Sequence, residues 1–172
     1  DFPPFGYLEE GELEPVGFDI DIVREFARRW LGDANAVELV QVSSSDRIPR
    51  LVAGEVDLVA ASMTHTKARD MEIDFSQTYF LDGQSLLVRR DSGIEGLDDL
   101  DGKVVAVTEG STSLDNIKAE AAARNIRIEI YPLESHADVL TVLNSGVAAI
   151  LTTDSVALGR YAPPNPEFIV GG

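Results

Sequence analysis

The chain has 172 residues, of which 44% are hydrophobic, and it carries a formal net charge of −16 at pH 7. This excess of negative charge argues against nucleic acid and anionic membrane surfaces as partners, because both are bound through basic patches. The chain contains no cysteine, which excludes disulfides, thiolate metal sites and cysteine nucleophiles. With only two histidines, no metal cluster is expected, and no cofactor is predicted.

The first half of the chain is expected to alternate between helix and strand. Apolar side chains recur at every fourth position from Phe18 to Trp30, which predicts an amphipathic helix, and Gly32 is suited to end it. The run Val56–Ala61, which is apolar except for Asp57, is typical of a strand that is buried on both faces of a parallel sheet. In chain order, the pattern predicts a helix over 18–31, a strand over 37–42, a short helix over 46–53 and a strand over 56–61.

Helices and strands also alternate in the second half of the chain. Because strands that alternate with helices build mostly parallel sheets, the predicted fold class is α/β, with helices flanking each sheet. The order of elements repeats, which predicts two lobes over 1–88 and 89–172 with a hinge near 87–91. The predicted elements are a strand over 85–89, a short helix over 97–100, a strand over 104–107, a helix over 113–124, a strand over 127–131, a helix over 135–144, a strand over 148–151, a helix over 154–161 and a strand over 168–170.

Polar side chains follow the second apolar strand of the first lobe. Ser62 and Thr64 come directly after it, and Arg69 lies about one helical turn further on. Hydroxyls offer neutral hydrogen bonds and the planar guanidinium offers two charged ones, so this stretch can hold a carboxylate. The alternative is that Arg69 pairs with a neighbouring carboxylate, Asp70 or Glu72. No nucleophile with a base beside it is visible, which favours binding over catalysis.

Two other positions of the first lobe are candidates for ligand contact. Arg47 follows Asp46 after the first predicted strand. It can bind a second carboxylate, or it can form a surface salt bridge with Asp46 that contributes almost nothing to stability. Phe2 belongs to a group of aromatic residues that can form a flat wall against an aliphatic ligand stem, although core packing is the default for each aromatic residue taken singly.

The second lobe also carries polar residues at the ends of its predicted strands. Thr108 and Ser111 lie in a turn that opens a helix, where free N–H groups attract anions. The alternative is that the hydroxyls of this turn have no ligand and that Thr112 or Ser113 simply caps the helix. His136 is either a donor or acceptor near a ligand or a surface histidine of a helix. Asp154 can receive an ammonium group, cap the helix that follows it, or do both.

Several motifs occur in the order in which a known family has them, and together they run from Phe2 to the last residues. The motifs are Gly17-Phe18-Asp19-Ile20-Asp21, Gly54-Glu55-Val56-Asp57, Thr64-His65-Thr66-Lys67-Ala68-Arg69, Asp74-Phe75-Ser76-Gln77-Thr78-Tyr79, Asp99-Leu100-Asp101-Gly102-Lys103-Val104 and Thr108-Glu109-Gly110-Ser111-Thr112. On these motifs the chain resembles the amino-acid branch, family 3, of the extracellular solute-binding proteins.

The resemblance implies a two-lobed type II periplasmic-binding-protein fold. Such a protein closes on one free amino acid in the interlobe cleft and delivers it to the permease subunits of an ABC importer. It is expected to be a monomer without enzymatic activity, in the periplasm or outside the cell, and an N-terminal membrane anchor is one option. The same pattern predicts that the first lobe lacks its opening strand and its C-terminal return in this chain.

The resemblance also assigns roles to the candidate residues that contact the ligand main chain. It implies that Ser62 and Thr64 bind the α-carboxylate or α-amino group, that Arg69 clamps the α-carboxylate and that Ser111 adds further donors. Asp154 would receive the α-ammonium group, and Phe2 would form part of an aromatic wall.

Two segments, Ser45-Asp46-Arg47-Ile48-Pro49 and Glu134-Ser135-His136-Ala137-Asp138, look most like those of the glutamate/aspartate-binding proteins. In that subgroup, the positions that resemble Arg47, Thr108, Ser111 and His136 hold the side-chain carboxylate, so glutamate or aspartate is the expected ligand. Two other functions stay open. One is a dehydratase of the cyclohexadienyl type or a lyase on the same fold, with Glu109 or His136 as general base, and the other is the ligand-sensing domain of a receptor.

Overall fold

The computed structural model describes residues 2–134 and 139–171. The chain divides into two compact units, Asp1–Tyr79 and Phe80–Gly172, which are described in turn. Within the described ranges, no helix combines the length and the apolar character that crossing a membrane requires.

One long helix dominates the first unit. Helix α1 spans Phe18–Leu31, which confirms the prediction from the apolar repeat, and it ends at Gly32, whose backbone is left-handed with φ of 84°. The other elements are β1 (Tyr7–Leu8), which pairs antiparallel with β2 (Pro15–Val16), helix α2 (Arg47–Val52) and a 3₁₀ turn over Arg69–Met71.

The start of α1 is fixed by close backbone contact with the beginning of the chain. The Phe18 amide donates to the Pro4 carbonyl at 3.0 Å, and the Asp19 amide donates to the Phe5 carbonyl at 2.9 Å. Gly17 sits between these contacts with φ of 125°, and a Cβ atom there would lie 2.3 Å from the Phe5 carbonyl oxygen. Only glycine fits this position, because any side chain would overlap backbone atoms that cannot move independently.

The two strands predicted for the first unit are not strands in the structure. Residues 37–42 and 56–61 have no β-pairing. The expectation that 56–61 is buried on both faces is also wrong, because Leu58 is 40% exposed. Val40, in the other segment, is 42% exposed. A strand exists only with a hydrogen-bonded neighbour, and the apolar pattern along the chain does not supply one.

A five-stranded sheet organises the second unit, in the order β5-β4-β6-β3-β7. Strand β4 is parallel to both β5 and β6, whereas β3 is antiparallel to β6 and β7. The predicted α/β architecture is thus present, with β3 as the antiparallel exception. The elements are β3 (Gln84–Arg89), a 3₁₀ turn (Leu97–Leu100), β4 (Val104–Thr108), α3 (Thr112–Arg124), β5 (Glu129–Leu133), α4 (Val139–Asn144), β6 (Ile150–Asp154), α5 (Ser155–Leu158) and β7 (Phe168–Gly171).

Both faces of this sheet are covered by apolar side chains. On one face, Leu87 and Leu151 pack with Phe168 and with residues of α4 and α5. On the other face, Val105 and Ile150 pack with residues of α3 and the first 3₁₀ turn of the unit. Burial on both faces explains why the central parts of β3 and β4, Leu86–Val88 and Val104–Val107, are continuous apolar runs rather than alternating ones.

The predicted lobe boundary at residue 88 falls inside β3. The hydrogen bonds of β3 run to β6 and β7, so this strand belongs to the second compact unit, which begins at Phe80. The division into two lobes at residue 88 stays a prediction. The position of the hinge stays a prediction.

Candidate functional site

The first candidate residue, Ser62, has an unusual backbone conformation. Its φ is 48°, in the left-handed region that residues other than glycine rarely adopt. Its amide N–H donates to Oδ2 of Asp19 at 2.9 Å, and its hydroxyl approaches the same oxygen at 3.4 Å. The hydrogen bond that Ser62 donates to Asp19 therefore fixes the residue that immediately follows the segment 56–61.

Asp19 is a fully buried carboxylate, with 0% of its surface exposed. Besides Ser62, it accepts a hydrogen bond from the Tyr79 hydroxyl at 2.8 Å. It lies in the first turn of α1, where the helix dipole stabilises a negative charge. Burial, and next the adjacent Asp19 carboxylate, hold the pKa of the Tyr79 phenol well above its ordinary value, so the hydroxyl stays a hydrogen-bond donor.

Thr64 and Arg69, both predicted ligand-binding residues, lie side by side. The Arg69 guanidinium donates through Nη1 to the Thr64 carbonyl oxygen at 2.8 Å, and the Arg69 amide donates to the Thr66 hydroxyl at 3.2 Å. Asp70, which was one possible partner for Arg69, instead contacts the His65 ring at 2.6 Å. The guanidinium is therefore held against the turn that follows residues 56–61 by the backbone carbonyl of Thr64.

Arg47 lies in the interior of the first unit and not at its surface. Only 5% of its surface is exposed, and its Nη1 donates to the Ala61 carbonyl oxygen at 2.5 Å. Asp46 accepts a hydrogen bond from the Ser43 amide at 2.5 Å. The alternative of a solvent-exposed salt bridge between Arg47 and Asp46 is therefore wrong, and the predicted contact with a ligand carboxylate stays a prediction.

Aromatic rings form a row beside the buried Asp19. Phe2 stacks on Phe5 with centroids 5.9 Å apart, Phe5 meets Phe18 at 6.4 Å, and Phe18 meets Tyr79 at 5.9 Å. Phe5 is buried, whereas Phe18 is 43% and Tyr79 is 45% exposed. Phe2 thus belongs to a row of packed rings whose far end is open to solvent.

In the second unit, Thr108 and Ser111 are joined at the end of β4. The Ser111 hydroxyl donates to the Thr108 carbonyl oxygen at 2.6 Å and accepts from the Leu114 amide at 3.3 Å. Ser111 is therefore the N-cap of α3, and the expectation that Thr112 or Ser113 caps this helix is wrong, because both residues already lie within its first turn. The contact of Ser111 with a ligand carboxylate stays a prediction.

Ser111→Ala is expected to lower the free energy of unfolding by about 1 kcal/mol, because the variant loses this cap. Urea denaturation followed by circular dichroism measures the change. Ser111→Thr is the matched control, since a threonine hydroxyl can make the same two hydrogen bonds and should keep most of the stability. A loss of stability in the control equal to that of the alanine variant would contradict the capping role.

Asp154 ends β6, at the same edge of the sheet as the end of β4. In the antiparallel ladder it lies opposite Gln84 of β3. The hydrogen bonds that cap α5 come from Asp82, whose carboxylate accepts from the Val156 amide at 3.0 Å and from the Ser155 hydroxyl. Asp82 therefore satisfies the start of α5, and a role for Asp154 towards an ammonium group stays a prediction.

The side-chain amide of Gln84 connects β3, β6 and α3. Its Nε2 donates to the Ser113 carbonyl at 3.1 Å and to the Thr152 hydroxyl at 2.9 Å, and its Oε1 accepts from Asn116 at 3.1 Å. Gln84, Asn116 and Thr152 line a cavity of about 390 Å³. Because both the nitrogen and the oxygen of the Gln84 side-chain amide already form hydrogen bonds within the protein, we assign Gln84 a structural role.

His136, the remaining candidate, lies outside the described residues. Sequence reasoning missed the buried carboxylate Asp19 and the capping carboxylate Asp82. One signal for Asp19 was present in the sequence, since it lies in the motif Gly17-Phe18-Asp19-Ile20-Asp21 that carries the family resemblance.

Comparisons with known proteins identify the family of this chain. A family model described as bacterial extracellular solute-binding proteins, family 3, matches residues 1–157. A glutamine-binding protein of Geobacillus stearothermophilus is 42% identical over 163 residues, which cover 94% of this chain and 60% of the relative. An L-glutamate/L-aspartate-binding protein of Pseudomonas aeruginosa is 31% identical over 176 residues, which cover 98% of this chain and 58% of the relative. The chain thus spans about 60% of the length of these relatives.

A solved structure is similar over almost the whole chain. An ancestral arginine-binding protein bound to arginine has a TM-score of 0.88 at 35% identity, and the match covers 99% of this chain and 74% of that chain. This similarity confirms the predicted fold class. The chain belongs to the bacterial extracellular solute-binding proteins of family 3.

Proposed function

We propose that the protein binds a free α-amino acid without chemically changing it. The observation that carries this proposal is the contact between Arg69 and Thr64, which holds a guanidinium against the turn that follows residues 56–61. A planar guanidinium beside hydroxyls suits a carboxylate, which every amino acid has. Family membership and the names of the relatives, which are all binding proteins, support the same function.

For the complete site, we propose that Ser62, Thr64 and Arg69 bind the main chain of the ligand and that Phe2 contributes an aromatic wall. We further propose that Asp154 receives the α-ammonium group. Thr108, Ser111 and His136 are proposed to reach the ligand from the second unit. The expectation that the ligand lies in a cleft between two lobes stays a prediction.

For the side chain of the ligand, we propose a polar group of the glutamate or glutamine type. The motifs favour glutamate or aspartate, while the relative with 42% identity is named as a glutamine-binding protein. Arg47 is almost buried and bonded to the Ala61 carbonyl, so its geometry gives no preference for an acidic ligand over its amide. We also propose that the whole protein acts as a monomer outside the cytoplasm and delivers its ligand to an ABC permease.

A thermal-shift screen of the twenty amino acids tests the proposal. A ligand present at 100 times its Kd adds about 2.7 kcal/mol to the stability of the protein. For a chain of this size, each kcal/mol raises Tm by about 2–4 °C, so the best ligands should raise Tm by roughly 5–10 °C. Recovery of the ligand unchanged would exclude the dehydratase and lyase alternatives. No shift with any amino acid at about 10 mM, above ordinary Kd values, would contradict the proposal.

A further inference from the structure

Two buried charged side chains hold consecutive residues at the end of the segment 56–61. Asp19, which is fully buried, accepts the Ser62 amide at 2.9 Å. Arg47, which is 5% exposed, donates to the Ala61 carbonyl at 2.5 Å. The Ala61 carbonyl and the Ser62 N–H belong to the same peptide group, which directly precedes the Ser62 Cα atom. This one peptide group is therefore held by charged side chains from two different helices, α1 and α2.

The held backbone is one that serine does not adopt on its own. A non-glycine residue with φ of 48° is strained, and such conformations persist only where the surrounding structure determines them. Charge-assisted hydrogen bonds are shorter and stronger than neutral ones, so they are suited to hold it. Strain of this kind is concentrated at binding and catalytic sites, which connects the contact to ligand binding.

Burying a carboxylate and a guanidinium is costly unless both are compensated. The Tyr79 hydroxyl lies close to both charges: it donates to Oδ1 of Asp19 at 2.8 Å, and the Arg47 charge acts on it electrostatically. Both oxygens of the Asp19 carboxylate therefore accept hydrogen bonds, Oδ1 from Tyr79 and Oδ2 from Ser62. A structure that only needed stability could fill this space with apolar residues, so a buried charged set indicates a specific geometric requirement.

We propose that Asp19, Arg47 and Tyr79 are positioning residues, which hold Ser62 in its left-handed conformation so that the turn from Ser62 to Thr64 meets the main chain of the bound amino acid. The inference rests on the proposed function. In this proposal Arg47 acts on the protein backbone at Ala61, whereas the sequence predicted that it contacts the side-chain carboxylate of the ligand. Because the main chain is common to all amino acids, loss of any of the three groups should weaken every ligand by the same factor.

Calorimetric titration of the full chain with glutamate, glutamine and the best ligand of the screen tests this role, at a temperature where circular dichroism shows each variant folded. Asp19→Asn keeps the size of the side chain and removes its charge, and it should weaken every ligand at least tenfold, or about 1.4 kcal/mol. Asp21→Asn, two residues further along α1 at an exposed position, should leave each Kd within about twofold of the wild-type value. Wild-type affinity in Asp19→Asn would overturn the proposal.

A double-mutant cycle separates positioning from a general loss of stability. Glycine adopts positive φ freely and has no hydroxyl to place, so Ser62→Gly should make Asp19 largely redundant. In that background, Asp19→Asn should weaken binding by less than about threefold. The same fold-change in both backgrounds would indicate that Asp19 acts independently of Ser62, which would overturn the positioning role.

Two milder variants keep the proposal testable if Asp19→Asn does not fold. The first is Tyr79→Phe, which removes one hydroxyl, and its control is Tyr7→Phe. The second is Arg47→Lys, which keeps the charge but loses the planar group, and its control is Arg50→Lys. Each test variant should weaken glutamate and glutamine equally, by about threefold to tenfold, and each control should not. A loss for glutamate about tenfold greater than for glutamine in Arg47→Lys would overturn the role of Arg47. Wild-type binding in both test variants would overturn the whole proposal.

The outcomes also separate this inference from the proposed function. If the wild-type chain binds none of the amino acids, the proposed function fails, and this result is obtained without any of the variants. If the wild-type chain binds and the variants bind equally well, only the positioning role fails.

Discussion

Replacing Arg69 by alanine is expected to remove the binding of every amino acid, whatever its side chain. The guanidinium is held against the Thr64 carbonyl, next to the turn that begins at Ser62. The proposed charge pair is the one between Arg69 and the α-carboxylate of the bound ligand. Truncating one partner of a buried, hydrogen-bonded charge pair costs about 2–5 kcal/mol, because the other charge is left unpaired. That cost weakens binding by roughly 30-fold to several thousandfold. Isothermal titration calorimetry with the ligands found in the thermal-shift screen measures the loss.

Lys67→Ala is the matched control for Arg69→Ala. It removes a cation from the same stretch, at an exposed position two residues away, and it should change Kd by less than about twofold. Arg69→Lys should retain part of the affinity, because it keeps the charge without the planar fork. Binding by the alanine variant that equals wild type, or a loss confined to one class of side chain, would show that Arg69 does not bind the α-carboxylate.

Gly17→Ala is expected to cause the largest loss of stability among single-methyl additions to the first unit. The new Cβ would lie 2.3 Å from the Phe5 carbonyl oxygen and 2.7 Å from the Pro4 carbonyl oxygen, and both belong to the backbone. Positive φ adds strain of about 1–3 kcal/mol, and overpacking adds about 1–3 kcal/mol more. We therefore expect the free energy of unfolding to fall by about 2–6 kcal/mol, measured by urea denaturation.

Gly32→Ala separates the two contributions. Gly32 also has positive φ, 84°, but a Cβ there would meet no atom within 4 Å. Its replacement should cost only the backbone strain, about 1 kcal/mol. Equal losses in the two variants would mean that the close contact between Gly17 and the Phe5 carbonyl does not constrain the start of α1.

The elements that could be predicted are those whose pattern is local. Helix α1 was found to the residue, because its apolar repeat and the glycine after it are both visible in the chain. In the second unit, the apolar runs became strands because neighbouring strands and helices cover both of their faces. The same kind of run at 56–61 did not become a strand, since pairing depends on a partner that the run itself cannot specify.

The candidate site was predictable where its residues are close in sequence. Thr64 and Arg69 are five positions apart, and their contact follows from the turn between them. Asp19 could not be identified in the same way, because its partners Ser62 and Tyr79 are 43 and 60 residues away along the chain. The buried position of Arg47 could not be predicted either, because the neighbouring Asp46 in the sequence indicates a surface pair and not burial.

Titration with an amino acid and with its α-carboxamide tests the central claim most directly. The two ligands differ only in the charge and oxygen content of the group that Arg69 is proposed to bind. With the wild-type chain, the amide of the best ligand should bind at least about a hundredfold more weakly than the acid, and Arg69→Ala should remove most of that difference. Equal affinity of the wild-type chain for the acid and the amide would contradict the account, because no guanidinium would then be reading the α-carboxylate.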